Sequence, residues 1–257
     1  MASDMGGPAP RLDDAALREA IARYTWFHSL TLRPGIVTAG TKPAGLLAEE
    51  EEAILGSIRL QGREVLDIGA WNGYFSFAAA RRGAARVLAT DSFTWRHRHY
   101  RGRETIELAR RELGLPVELH EVDPTEIEPG LGRFDVVLFL GVFYHLENPM
   151  LVMRRVRAMT KGVLLIETHQ DALDQPRPMM VFYPGRTLNN DPTNWWGPNL
   201  ALMLTLLLEL GFERVEYRNH PVMGAGRGIY AAFLPGAFER LAGDFGPPWI
   251  SMTHKAG

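Results

Sequence analysis

From Glu64 onward, short apolar runs alternate with amphipathic stretches. The apolar runs are Val65-Leu66-Asp67-Ile68, Val87-Leu88-Ala89-Thr90 and the segments 117–123, 134–141 and 163–167. Between them the apolar spacing predicts helices over 74–82, 104–113 and 149–159, two of which stop at Gly83 and Gly114, a residue type that accepts the left-handed cap conformation. Strands that are apolar on both faces and alternate with helices imply a mostly parallel sheet covered on both sides. After a polar and aromatic stretch from 169 to 199, the pattern predicts a helix over 200–210 ending at Gly211. Strand-like runs at 214–218 and 229–234 follow, and the short link 219–228 predicts an antiparallel hairpin closing the sheet. The fold class expected is α/β and doubly wound, with an antiparallel last strand.

Upstream, the first ten residues are small, polar and rich in Pro and Gly, which predicts a frayed tail. A helix over 12–24 opens with Asp13 and Asp14 and carries Leu17, Ile21 and Tyr24 at helical spacing. An aromatic knot (24–28) and a loop then lead to a second helix over 46–58, whose Glu49 to Glu52 run reads as a solvated face. The expected organisation is a helical cap over 1–60, a sheet domain over 61–235 with a lid inserted at about 169–199, and a C-terminal tail over 236–257.

Composition narrows the chemistry. The 257 residues correspond to about 1.7 domains of typical length. There is no cysteine, which excludes a disulfide framework, a thiolate metal site and a catalytic thiol. No cationic stretch followed by an apolar one opens the sequence, and the longest apolar run, Leu200 to Leu208, falls far short of the roughly 20 residues of a membrane span. A cytoplasmic protein without membrane contact is expected. The His and carboxylate spacings give no metal site. With 28 basic against 30 acidic residues the net charge is −2, which disfavours an all-phosphate partner unless one face is locally basic.

The segment Asp67-Ile68-Gly69-Ala70-Trp71-Asn72-Gly73-Tyr74 runs from strand through a glycine turn into a helix. Gly69 and Gly73 remove side chains where a ligand must approach, and the helix N-terminus favours anionic groups. The spacing is neither G-x-G-x-x-G nor a phosphate loop. Asp67, before the first glycine, suits an ammonium group. Asp91 ends the second apolar strand, where an acid is placed for ribose hydroxyls, and Asp123 ends the third, placed for an adenine amino group. Amino acid, ribose and adenine in that order make S-adenosylmethionine the expected cofactor. Each acid has a structural alternative as a helix N-cap.

These features resemble the class I S-adenosylmethionine-dependent methyltransferases. Within them the chain is similar to the family of the bacterial enzyme that converts the tRNA wobble 5-hydroxyuridine to its carboxymethoxy form. The resemblance rests on Leu66 to Ser76, Gly141-Val142-Phe143-Tyr144-His145, Asn148-Pro149, Leu165-Ile166-Glu167-Thr168 and Tyr183-Pro184-Gly185, and covers roughly 65–235. It implies a seven-stranded Rossmann-like methyltransferase sheet. In the tRNA enzyme a carboxylated cofactor is held partly by an upstream lysine and by the Tyr of the Tyr-His pair. Tyr144 matches that tyrosine. Lys42 is the only lysine upstream of the first strand and does not match the pattern, so the expected cofactor is unmodified S-adenosylmethionine.

Gly141 lies where the fourth strand ends, on the cofactor side, and Tyr144 and His145 follow it. A His there suits a base that takes a proton from a hydroxyl or amine as the methyl arrives; shaping the pocket is the alternative role. Glu167 leaves the fifth strand into the same crevice, to orient a substrate group or to pair with His145 or His169. Asn194, Trp195 and Trp196 belong to the lid, and Trp26 and His28 to the cap, as expected substrate contacts together with His169. The function expected is methyl transfer to an O or N atom of a small molecule. Modification of a tRNA wobble uridine, or another use of the sulfonium cofactor, is the alternative. The run Trp95-Arg96-His97-Arg98-His99-Tyr100-Arg101-Gly102-Arg103 is the strongest nucleic-acid feature.

Overall fold

Strands rich in Val, Leu and Ile are the elements that set this architecture. In the computed structural model, which describes residues 10–253, eight strands form one sheet, with the apolar ones at its centre. They are β1 (Glu64–Ile68), β2 (Arg86–Asp91), β3 (Val117–Glu121), β4 (Phe134–Leu140), β5 (Thr160–His169), β6 (Arg214–His220), β7 (Gly224–Phe233) and β8 (Ile250–Thr253). Their spatial order is β8-β6-β7-β5-β4-β1-β2-β3. The pairs β1/β2, β1/β4, β2/β3 and β4/β5 are parallel, whereas β7 runs antiparallel to both β5 and β6. The doubly wound, mostly parallel arrangement and its antiparallel last hairpin are as expected. The strand order reverses at β1 and β4, which opens a crevice at the carboxyl ends of the parallel strands.

The expected count of seven strands is corrected to eight. Ile250 to Thr253 pair antiparallel with Tyr217 to Arg214 at the sheet edge. The sequence hides this strand because it is four residues long and exposed along its whole length, so no buried face marks it. The rest of the expected N-terminal tail (1–9), and residues 254–257 of the C-terminal one, lie outside the described residues.

The core sits where β4 and β5 meet: Val136 to Phe139 and Val163 to Ile166 are all fully buried, each worth about 1.5–3 kcal/mol in hydrophobic burial. Helices α1 (Asp14–Ala22), α2 (Ala44–Leu55), α3 (Tyr74–Arg81), α4 (Gly102–Leu113), α5 (Pro149–Met159) and α6 (Leu200–Glu209) accompany the sheet. Asn148 caps α5 by accepting from Leu151 N at 3.3 Å, and Asn199 caps α6 by accepting from Leu202 N at 2.9 Å. Among the described residues no helix is long and apolar enough to cross a membrane.

The cap is not purely helical. Trp26–His28 pairs in parallel with Gly40–Lys42, and Thr31–Arg33 pairs with Ile36–Val37. These ribbons are two or three residues long, too short to show alternation. The inserted segment holds a ribbon of its own, Met180–Phe182 against Trp196–Pro198. Asn199 ties its base down: one side-chain amide donates to the Gln175 and Arg177 carbonyls at 3.0 and 2.8 Å, and its oxygen accepts from Met179 N at 3.2 Å.

Candidate functional site

At the end of β1 the chain enters a turn in which Gly69 and Gly73 have φ of 79° and 83°. Both conformations favour glycine, and a Cβ on Gly69 would lie 2.5 Å from Val142 Cγ2. Gly69 N and Ala70 N donate to the Thr90 carbonyl at 2.8 and 3.0 Å, locking the turn to β2. Trp71, between the two glycines, also has a positive φ, 49°, a conformation costing a non-glycine residue roughly 1–2 kcal/mol. Its contacts hold it there: its ring stacks on Phe27 at 4.1 Å and 6°, its N–H donates to Asp91 Oδ2 at 3.0 Å, and its carbonyl accepts from the Trp95 indole at 2.9 Å.

Asp67 is 3% exposed and accepts from Ser76 Oγ at 2.6 Å. Burial pushes its carboxyl up to about 7; the Ser76 hydroxyl opposes this and the Asp91 carboxylate adds to it. A cation beside it would reverse that cost. Asp91 is buried at the end of β2 and raised for the same first reason. Its oxygens accept from Trp71 N and from Thr94 N, both at 3.0 Å, so it braces the turn and caps the short helix Phe93–Arg96; each oxygen keeps a second lone pair. Asp123 lies two residues beyond β3, half-buried, accepting from Ser92 Oγ at 3.1 Å and from the Thr125 hydroxyl at 2.6 Å. Burial would raise its carboxyl, yet the Thr125 and Ser92 donors and Arg96 hold it low. Ser92, Phe93, Arg96, His97 and Asp123 line an open cavity of about 360 Å³.

This donor set fits S-adenosylmethionine. The glycine turn leads into the N-terminus of α3, Asp67 is a buried carboxyl that a cation would return to its charged form, and the cavity beside β2 and β3 is lined by exposed Phe93 and by Asp123.

On the far side of the crevice, Gly141 (φ 71°) ends β4 and donates to the Glu167 carbonyl at 2.8 Å. Tyr144 and His145 follow in a single 3-10 turn, Phe143–His145. Glu167 is buried, but its partner is neither His145 nor His169. Arg227 on β7 grips it with two N–H groups, the Nη2–Oε2 distance being 2.8 Å, and also reaches Tyr144 Oη at 3.4 Å. Glu167 and its neighbours hold the Arg227 guanidinium charged against burial. Sequence reasoning missed Arg227 because it sits in a glycine-rich stretch read as the hairpin link; β7 in fact begins at Gly224 and brings Arg227 opposite His169.

His145 Nδ1 lies 2.9 Å from the Thr193 carbonyl and 3.0 Å from Thr193 Oγ1. A carbonyl only accepts, so Nδ1 carries the proton and Nε2 keeps its lone pair. His169 Nε2 lies 3.0 Å from Tyr183 Oη. Burial lowers both imidazoles, while burial raises the Tyr144 phenol against the pull of Arg227. The rings of His145 and His169 stand 4.1 and 6.3 Å from that of Tyr144.

The remaining expected contacts divide. Trp195 N donates to the Tyr144 carbonyl at 2.8 Å, which seats the inserted segment directly on the Tyr-His turn. The Trp196 indole is committed to the Leu146 carbonyl at 2.8 Å, and buried Asn194 donates to the Leu188 carbonyl at 3.0 Å. Trp26 is buried with its indole on the Ile21 carbonyl at 3.1 Å, inside the cap. His28 is buried beside Tyr74 and Phe75, and burial, helped by Lys42, drives its imidazole down to about 3. Lys42 is held by Glu50, its Nζ within 2.6 and 2.8 Å of the two carboxylate oxygens. In the basic run, Arg96 pairs with Glu121, Arg101 with Glu104 and Arg103 with Glu107, and Trp95 is buried. Among the described residues no group of three His, Cys, Asp or Glu side chains is arranged to hold a metal ion.

A family model described as a methyltransferase domain matches residues 44–213. The tRNA U34 carboxymethyltransferases of Desulfotalea psychrophila and Geobacter sp. strain M21 are 28% and 30% identical over 166 and 161 residues. Those matches cover 63% and 61% of this chain but 49% and 46% of the relatives, so the chain spans about half the length of these curated proteins. In fold it is similar to the N-terminal domain of EvdMO1 with S-adenosylhomocysteine bound (TM-score 0.59, 20% identity, 89% of this chain and 98% of that one). It is also similar to the 1,6-didemethyltoxoflavin-N1-methyltransferase of Burkholderia thailandensis (TM-score 0.54, 18% identity, 91% and 93% covered). With the family model spanning well over half of the sequence, the chain belongs to the methyltransferase-domain family.

Proposed function

We propose that this protein transfers a methyl group from S-adenosylmethionine to an O or N atom of a small molecule. The observation that carries the reading is the turn from Asp67 through Gly69 to Gly73, with Asp91 and the open cavity beside Asp123 continuing it along the sheet edge. Asp67, Gly69 and Gly73 would hold the methionine end, Asp91 the ribose, and Asp123 with Phe93 the adenine; Gly141 leaves room at the sulfonium. When bound, this cofactor supplies an electrophilic methyl group.

The chain's own groups do the rest. Tyr144, His145 and Glu167 flank the acceptor side, with Glu167 acting through Arg227. The Nε2 lone pair of His145 receives the acceptor's proton, and the inserted segment around Trp195 excludes water. A small-molecule acceptor is favoured over tRNA because three of the four arginines in the basic run are already paired with glutamates and because the inserted segment is seated on the Tyr144 turn through Trp195 N. The relatives' tRNA activity is the alternative.

Incubation with methyl-labelled S-adenosylmethionine and either a panel of small hydroxyl and amine acceptors or bulk tRNA separates the two. Label in the small-molecule fraction, lost in His145→Ala at neutral pH, is expected. Label in tRNA alone would overturn the acceptor class.

A further inference from the structure

Both crevice histidines find their partners in the inserted segment, and each partner is a hydroxyl backed by a carboxylate. Thr193 Oγ1 lies 3.0 Å from His145 Nδ1 and donates to Asp191 Oδ1 at 2.7 Å. Tyr183 Oη lies 3.0 Å from His169 Nε2 and donates to Asp171 Oδ2. Since each hydroxyl spends its proton on the carboxylate, it can only accept from the imidazole, which places a proton on His145 Nδ1 and on His169 Nε2.

Both carboxylates are anchored. Asp191 Oδ1 also accepts from Thr193 N at 2.9 Å, and Asp171 Oδ1 from Ala172 N at 2.6 Å. The second relay is built into the backbone: a Cβ on Gly197 would fall 2.6 Å from Tyr183 Oη and 2.8 Å from Asp171 Cβ. This explains why Gly197 faces the Tyr183 of the Tyr-Pro-Gly motif.

We propose that the inserted segment is a positioning device: Thr193–Asp191 fixes His145 as the proton acceptor, and Tyr183–Asp171 fixes His169 as a hydrogen-bonding partner of the acceptor molecule, on either side of Tyr144. The proposal rests on the methyl-transfer reading. In that reaction the donor's C–S bond breaks as a C–O or C–N bond forms, and the acceptor's O–H or N–H proton passes to His145 Nε2. The imidazolium is held by the Thr193 carbonyl and the Asp191 carboxylate until the proton leaves to solvent. His145 also faces the Arg227 cation and the Tyr144 phenol; His169 faces Arg227, Glu167, Asp171 and the phenols of Tyr144 and Tyr183. Against burial and Arg227, the Thr193 carbonyl and Asp191 raise the His145 imidazole, and Asp171, Glu167 and the Gly226 carbonyl raise that of His169, so removing the Asp191 or the Asp171 charge lowers its own histidine.

The test is an NMR pH titration of the imidazoles in the full chain without cofactor, the two signals assigned by His145→Gln and His169→Gln. Binding of S-adenosylmethionine is measured on the same samples by calorimetry. Asp191→Asn and Thr193→Val are expected to lower the His145 midpoint and leave His169 unmoved, with Thr193→Ser restoring it. Asp171→Asn is expected to do the converse, and Tyr183→Phe to change the nitrogen shifts that report the His169 tautomer. Titrations unchanged in all variants, or both histidines moving equally in each, would overturn the proposal. Failure of the wild-type chain to bind S-adenosylmethionine would instead overturn the methyl-transfer reading, with the titrations still able to show the relays.

Discussion

Asp67 is charged only at a cost, because burial lifts its carboxyl to about 7 from an unfolded value near 4. The folded chain therefore holds a proton that the unfolded chain has lost between those values. The sign follows: the contribution to stability is complete below pH of about 4, declines as pH rises, and is gone above about 7. Asp67→Asn, which keeps an acceptor for Ser76, is expected to raise the thermal midpoint of the cofactor-free protein by an amount that grows from pH 4 to pH 7 and then levels. The same substitution is expected to weaken S-adenosylmethionine at least tenfold, since a charge-assisted hydrogen bond is worth about 1.5–3 kcal/mol. Stabilisation confined to low pH would contradict the account. At this scale the positions of the three acids at or near the strand ends and of the two turn glycines were legible, because residue type and the apolar runs mark where the strands stop. Arg227 was not: a lone arginine among glycines carries no signal until β7 is seen to pair it opposite His169.

The elements meet through a few side chains, and Asn72 is the clearest case. It is fully buried in the glycine turn, accepts from Phe27 N at 2.8 Å and His28 N at 3.3 Å, and donates to Thr105 Oγ1 on α4. One residue thus fastens the cap, the turn and α4 together. Asn72→Ala would leave the Phe27 and His28 N–H groups without that acceptor, each costing about 1–3 kcal/mol when buried, whereas the Thr105 hydroxyl keeps its bond to the Gly102 carbonyl. The expectation is a loss of at least about 2 kcal/mol in urea unfolding, together with faster amide exchange over 26–28 than over β4. A loss below about 0.5 kcal/mol would show that the cap is held elsewhere. The helices and central strands were legible from periodicity, and the helix 149–159 was placed to the residue. The cap ribbons and β8 were not, because they are short and stabilised by pairing and stacking, such as Phe27 on Trp71, rather than by a patterned face.

Across the whole molecule, the proposed function divides the sheet edge, with the residues proposed for the cofactor on β1, β2 and just beyond β3, and those proposed for the acceptor side on or just after β4, β5 and β7, beside the inserted segment. Composition foresaw part of this. The absence of cysteine left His, Tyr and carboxylates as the available bases, and those are the side chains that surround Tyr144. The near-neutral net charge concealed the arginine run, in which Arg96, Arg101 and Arg103 pair with Glu121, Glu104 and Glu107. The central claim is that the turn between β1 and α3 binds S-adenosylmethionine. Its most direct test is a calorimetric titration of the full chain with S-adenosylhomocysteine. The account predicts saturable one-site binding that is weakened at least tenfold in Asp91→Ala; no binding heat, or binding indifferent to that substitution, would contradict it.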